Sequence, residues 1–167
     1  RWAHSNGAAS VGGYDLEPQN SEYIQNDSIV NPPDYTGKIV VSNPPYLSKN
    51  KYKGDKAPFE QWKQDNLYKC HLASLATADE FIEIIPTNFF CESRDAIRKT
   101  LFATHSIASA SFWTEAAFDD TKQMVTVIHG VRVKRKFQSF PLTFMPDRVT
   151  VNVELLPEHK YLHGKEF

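Results

Sequence analysis

The chain has 167 residues, 41% of them hydrophobic and 23% charged, with a formal net charge of −1. That length allows one domain with its own core, and that composition is ordinary for a globular protein and excludes disordered and fibrous classes. No apolar run reaches membrane-spanning length and no charged-then-apolar leader opens the sequence, so neither a membrane protein nor a secreted one is expected.

The near-neutral charge lacks the basic footprint of a free-standing nucleic-acid-binding module. Cys70 and Cys91 make no disulfide framework, and no Cys/His cluster has zinc-ligand spacing. The expectation is two reduced thiols, no metal and a cytoplasmic location. The chain opens at Arg1 without an initiator methionine and is read as a fragment of a longer protein.

In chain order, Val11 to Leu16 reads as a short strand ending in Asp15 and Glu17, with Pro18 stopping it. Tyr23 to Gln25 is a second short strand, followed by Asn26-Asp27-Ser28. Lys38-Ile39-Val40-Val41 is β-branched and apolar and runs into Ser42-Asn43-Pro44-Pro45-Tyr46, a buried strand meeting a rigid turn. Residues 47–58 are lysine-rich with Gly54 and Pro58, a polar loop. Phe59 to Ala78 has apolar residues at helical spacing.

Glu80 to Pro86 is then a strand, Ser93 to Ala103 a helix with Ser93 as N-cap, and Ile107 to Trp113 a strand. Gln123 to Arg135 is a long strand and Val149 to Leu155 one more. This order is the back half of an α/β, doubly wound sheet, with an antiparallel strand inserted near its edge. Ligands in such sheets bind at the carboxyl ends of strands, and Asp15, Asp27 and Asn43 each follow a predicted strand.

The most specific signal is Val40-Val41-Ser42-Asn43-Pro44-Pro45-Tyr46. An exocyclic amino group on an aromatic ring is a poor nucleophile because its lone pair is delocalised. Two acceptors on its two hydrogens draw it toward tetrahedral geometry. The Asn43 side-chain oxygen and the Pro44 carbonyl can be those acceptors. Pro44 and Pro45 fix φ and remove donors, so the turn is stiff, and Tyr46 offers a face on which a flipped-out base can stack. Asn31-Pro32-Pro33-Asp34 has neither the strand before it nor the aromatic after it and reads as a plain loop. Lys49, Lys51, Lys53 and Lys56 follow the turn directly, as a solvated loop or as phosphate contacts.

Residues 11–130 resemble the γ class of amino-methyltransferases, the adenine-specific DNA enzymes of restriction–modification systems, whose signature is [Asn/Asp/Ser]-Pro-Pro-[Tyr/Phe/Trp] after a sheet strand. Gly13-Tyr14-Asp15-Leu16-Glu17-Pro18 resembles the family's second motif. That resemblance implies that Asp15 holds the ribose hydroxyls of S-adenosylmethionine and that Leu16 packs on its adenine. Gln25-Asn26-Asp27-Ser28 resembles the third motif, whose acid bonds the cofactor's adenine amino group, here Asp27; Ser28 stands where many relatives have an aromatic. Both acids also fit a bland alternative, a carboxylate closing its own turn. Residues 84–90 resemble the strand after the catalytic helix. Ala117-Phe118-Asp119-Asp120 resembles the place of an aromatic that packs on the target base, here Phe118.

The order of motifs, cofactor then catalytic, is that of the γ arrangement. The resemblance therefore implies a Rossmann-like methyltransferase domain over residues 1–148 that lacks its N-terminal cofactor loop. Residues 149–167 would hold a strand and the start of a target-recognition region. The implied activity is methyl transfer from S-adenosylmethionine to adenine N6 in site-specific modification of double-stranded DNA, with a cognate restriction endonuclease as a partner. Cytosine N4 of DNA, guanine N2 of RNA and protein glutamine stay open as acceptors, because related enzymes use nearly the same turn. An inactive fragment acting only as a binding module also stays open.

Overall fold

A computed structural model describes residues 5, 7–93, 96–115, 117–118, 123–133 and 138–155. Among these residues, eight strands form two sheets: β1 (Gly13–Asp15), β2 (Tyr23–Gln25), β3 (Ile39–Ser42), β4 (Glu80–Pro86), β5 (Ser106–Trp113), β6 (Val125–Val131), β7 (Gln138–Met145) and β8 (Val149–Leu155). The first two pair in parallel as a separate ribbon, and the other six form one sheet in the order β3-β4-β6-β5-β7-β8. β3 runs parallel to β4 and β5 parallel to β7, whereas β6 is antiparallel to both neighbours and β8 to β7. The expected antiparallel insertion is β6, which lies inside the sheet because β7 and β8 extend the sheet beyond β5.

Among the described residues, short helices connect the strands: α1 (Ala57–Trp62), α2 (Leu67–Ser74), α3 (Asn88–Cys91) and α4 (Ala96–Phe102), with a 3-10 turn at Leu75–Thr77. The single helix expected over 59–78 is broken. Lys63 adopts a left-handed φ of 53° that closes α1, and Asn66 restarts the helix by accepting from the Tyr68 N–H. Of the helix expected over Ser93–Ala103, Ala96–Phe102 is helical, and residues 94–95 lie outside the described set, as do residues 134–135 of the expected long strand.

Alternation decides which face is covered. Phe81, Glu83 and Ile85 of β4 are buried, as are Thr126, Ile128 and Gly130 of β6 and Phe140 and Leu142 of β7. Phe81, Ile85, Ile128, Phe140 and Leu142 share one core with Tyr68, Leu72 and Leu75 and with Ile97 and Leu101 of α4. Gly130 has no alternative there, since a Cβ would lie 1.9 Å from the Phe81 ring. The opposite face at the β3 edge exposes Ile39 (62%) and Val41 (69%). The expectation of a doubly wound sheet is therefore met in part: this is a mixed α/β sheet, and among the described residues one helical layer covers one face.

His105 sits under this core, fully buried. Its Nε2 lies 2.8 Å from the Ala78 carbonyl, and its Nδ1 lies 2.8 Å from the Thr104 hydroxyl. A carbonyl can only accept, so Nε2 carries the proton. Burial, opposed by that hydrogen bond and reinforced by Arg132, holds the imidazole below its ordinary value of 6.5. The unfolded chain then takes up a proton first as pH falls, so the contribution of neutral His105 is complete above about pH 6.5 and is lost progressively below it. Urea unfolding at pH 7.5 and pH 5 should show a loss on the acid side that His105→Gln reduces; an unchanged acid-side slope in the variant would contradict this.

Candidate active site around the Asn-Pro-Pro-Tyr turn

The strand before the turn is β-branched, and the turn forms where its ladder must stop. β3 pairs with β4 up to Ser42–Glu83. The next residues are Asn43, Pro44 and Pro45, and the prolines have no N–H to continue pairing. Asn43 is exposed at the carboxyl end of β3, Pro44 is buried, Pro45 is exposed and Tyr46 is half-buried. The Tyr46 ring meets Tyr68 edge-on at 6.4 Å. Its hydroxyl lies 2.6 Å from Asn43 Oδ1, to which it donates, and 2.8 Å from the Ile84 carbonyl oxygen. Burial, with the nearby Glu83 carboxylate, pushes the phenol up to about 12, so it is protonated at neutral pH.

Behind the turn lies a polar cluster that the sequence did not announce. The Ser42 hydroxyl donates to the Glu83 carboxylate, 2.6 and 2.7 Å from its two oxygens, and stands 2.8 Å from His71 Nε2. His71 Nε2 is 3.5 Å from Glu83 Oε1. Glu83 is completely buried and His71 nearly so. A carboxylate is tolerated in such a place only when it is hydrogen-bonded and paired. The cluster ties the last residue of β3 to β4 and α2, so the residue before Asn43 is fixed on both sides.

The loop after the turn folds back on itself. An isolated bridge joins Ser48 to Asn66, and Lys56 donates to the carbonyls of Lys49 and Tyr52. Lys56 is thus a structural cation. Lys49 is half-buried and Lys51 exposed; the Lys49 ammonium stands 4.0 Å from Glu60.

Asp15 and Asp27 lie at the same end of the parallel β1–β2 ribbon, where Asp15 pairs with Gln25. Each carboxylate closes its own turn. Asp15 Oδ1 accepts from the Glu17 N–H, and Asp27 Oδ1 accepts from those of Ile29 and Val30. The bland alternative therefore holds at both positions, and among the described residues the turn bonds of each acid use Oδ1. Leu16 beside Asp15 is 59% exposed. The Asp27 turn touches the part of the chain that follows the Asn-Pro-Pro-Tyr turn, because Ile29 packs with Leu47 into the small cluster of Phe59, Leu67 and Cys70. Its carbonyl also accepts from the Trp62 indole at 2.7 Å.

Phe118 is half-buried in the β5–β6 connection, while Asp119 and Asp120 of its motif lie outside the described residues. Cys70 is buried and its thiol pushed up to about 11 by burial, so it is not a nucleophile at neutral pH. Among the described residues no group of His, Cys, Asp and Glu is arranged to hold a metal, and no helix is long and apolar enough to cross a membrane.

No protein-family profile matches the sequence, and no curated protein matches it. Solved structures do share its shape. One is a modification subunit assigned to a type I restriction enzyme of Vibrio vulnificus YJ016, with 12% identity, a TM-score of 0.57 and 86% of this chain covered. Another comes from a study of complex assembly and conformational transition of the type I R-M system, with 8% identity, a TM-score of 0.62 and 87% covered. The chain spans 33% and 37% of those two proteins' own lengths. At such identities the likeness is one of fold: the chain folds like part of the proteins of type I restriction–modification systems.

Proposed function

We propose that this chain is part of the catalytic domain of a restriction–modification DNA methyltransferase that transfers a methyl group from S-adenosylmethionine to adenine N6. The observation that carries this reading is the Asn43-Pro44-Pro45-Tyr46 turn at the carboxyl end of β3, exposed at Asn43 and braced from behind by Ser42, Glu83 and His71. The fold likeness to type I modification proteins supports it.

In this mechanism Asn43 Oδ1 and the Pro44 carbonyl accept the two hydrogens of the target amine, and the lone pair is freed for attack. The rigid turn means that neither acceptor must reorganise as charge develops. When bound, S-adenosylmethionine supplies an electrophilic methyl group. The residues present fit one half of it: the exposed Leu16 beside Asp15 and the second carboxylate oxygens of Asp15 and Asp27, which their own turns do not use, suit its adenosine. A site for its charged methionine end belongs, on this reading, to a Gly-rich loop preceding Arg1, and target recognition to a region after about residue 150. Lys49 and Lys51 border the turn as phosphate contacts for double-stranded DNA, and Phe118 packs on the target base. A restriction endonuclease is the partner that such a modification activity implies.

The test is chemical. The full-length protein containing this chain is incubated with methyl-labelled S-adenosylmethionine and duplex DNA, and the DNA is digested to nucleosides. N6-methyladenine is the expected product. N4-methylcytosine would keep the turn's chemistry and reject adenine; no labelled DNA, with label in RNA or protein instead, would reject the proposal.

A further inference from the structure

Lys69 of α2 is only 5% exposed, and a lysine is rarely buried unless its charge is paired. Its Nζ is held by two carboxylates from different segments, Asp65 at 2.8 Å and Glu92 at 2.7 Å. Asp65 lies just before α2, whereas Glu92 caps α3 in the connection between β4 and α4. Arg98 of α4 ties that connection down as well, donating to the carbonyls of Phe89 and Glu92. The helix itself has no need of a buried cation, since an apolar residue would pack there without desolvating a charge. What the ammonium does is join two segments. Both leave the sheet at the carboxyl ends of the parallel strands β3 and β4, where Asn43 stands.

The Asp65 arm leads into the loop after the Asn-Pro-Pro-Tyr turn. The Leu67 N–H donates to the Leu47 carbonyl at 3.0 Å, Ser48 bridges Asn66, and the Lys49 N–H donates to the Asp65 carbonyl at 2.8 Å. Two hydrogen bonds, both on Asp65, thus connect the buried ammonium to the Lys49 backbone. Lys56 closes the rest of the loop on the carbonyls of Lys49 and Tyr52. A free segment this rich in like charges would repel itself and spread. Here the backbone is tied down while Lys51 and Lys53 stay exposed.

We infer that Lys69 is a positioning residue for DNA: buried away from any phosphate, it clamps the lysine loop to the β4–α4 connection and so holds Lys49 and Lys51 in a fixed place beside Asn43. The inference rests on the proposed reading of those two lysines as phosphate contacts. Its physical basis is entropic, because a lysine on an ordered backbone meets a phosphate without the loop having to be ordered first. Released from Asp65, the loop would meet DNA in many conformations and its phosphate contacts would form only in part.

Lys69→Met removes the ammonium and keeps an unbranched side chain. Asp65 and Glu92 reach solvent, so water takes the place of the ammonium and the fold survives. In the full-length protein, binding to one duplex is measured across a range of salt concentrations. Each phosphate contact contributes about 0.9 to the slope of log affinity against log salt. In Lys69→Met that slope should fall by about 1–2, as in Lys49→Ala/Lys51→Ala, with affinity at 0.15 M salt down roughly tenfold. The kcat at saturating DNA should stay within about twofold. Added to Lys49→Ala/Lys51→Ala, Lys69→Met should cost nothing further, because it acts through those lysines. Hydrogen exchange supplies a readout without DNA: the Lys49 amide should exchange roughly tenfold faster in Lys69→Met. Asp65→Asn, which leaves Lys69 its Glu92 partner, should reproduce these changes and serves in its place if Lys69→Met does not fold. An unchanged salt slope, additive losses in the combined variant, or an unaltered Lys49 amide would each overturn the inference. A wild-type protein that binds no duplex DNA would reject the proposed function, and the inference with it.

Discussion

Asn43→Ala in the full-length protein is expected to lower methyl transfer by about 10²–10³-fold, the loss typical of removing one preorganised group that acts on charge developing in the transition state. Several features of the site argue for an effect of that size. Asn43 is exposed at a strand end, so its side chain is available to a substrate and truncation removes little packing. Its backbone is held by a proline on the following side and by the Ser42 cluster on the preceding side, so an empty space cannot be refilled by movement of the turn. The Pro44 carbonyl survives, which is why the loss is partial. Affinity for the methyl donor should stay within about twofold, and the unfolding midpoint should not move. The decisive measurement is single-turnover methylation with donor binding followed in parallel. A variant that methylates at the wild-type rate would reject the assignment of Asn43, and equal losses in donor binding and rate would relocate it to the cofactor site.

The second large effect is on stability. Glu83→Ala should destabilise the fold by about 1–3 kcal/mol, the cost of leaving the buried groups that bond it unsatisfied. Glu83 has no solvent contact, and its two oxygens receive the Ser42 hydroxyl at 2.6 and 2.7 Å. Alanine leaves that hydroxyl and the His71 ring without their partner inside the core and opens a void beside them. Glu83→Gln retains an acceptor for Ser42 and should lose far less. Urea unfolding is the check: the midpoint should fall in Glu83→Ala with the slope unchanged, and a loss under about 0.5 kcal/mol would mean that the cluster is not coupled to folding. Replacing Ser42, His71 and Glu83 together by apolar residues of similar volume should recover most of the stability, since such clusters add little net energy over a packed core. Activity should not return with it, because Asn43 would have lost its anchor.

The sequence by itself determined what depends on neighbours along the chain. β2 and β4 and the late strand β8 stand where local β-branched and alternating patterns put them. The Asn-Pro-Pro-Tyr turn was legible because prolines and a preceding apolar run act within a few residues. β7 has no counterpart in the sequence reading, although Phe140, Leu142 and Phe144 alternate as a strand should; Pro141 among them is exposed on its strand, and β8 pairs beside it all the same. The helix over 59–78 was read as one because apolar spacing continues through Lys63, where a left-handed residue breaks it.

The tertiary structure alone decided how the site is braced and oriented. Ser42, His71 and Glu83 belong to three different elements, and histidine 71 gave no local sign of a role. The contact of Tyr46 with the Ile84 carbonyl likewise joins residues with no periodic relation. Hydrogen-bond partners across a sheet are set by register and by where a ladder ends, quantities that belong to strand pairing. The pattern of side chains on one strand carries which face is apolar; it does not carry which carbonyl on the next strand will be left for a tyrosine to fill.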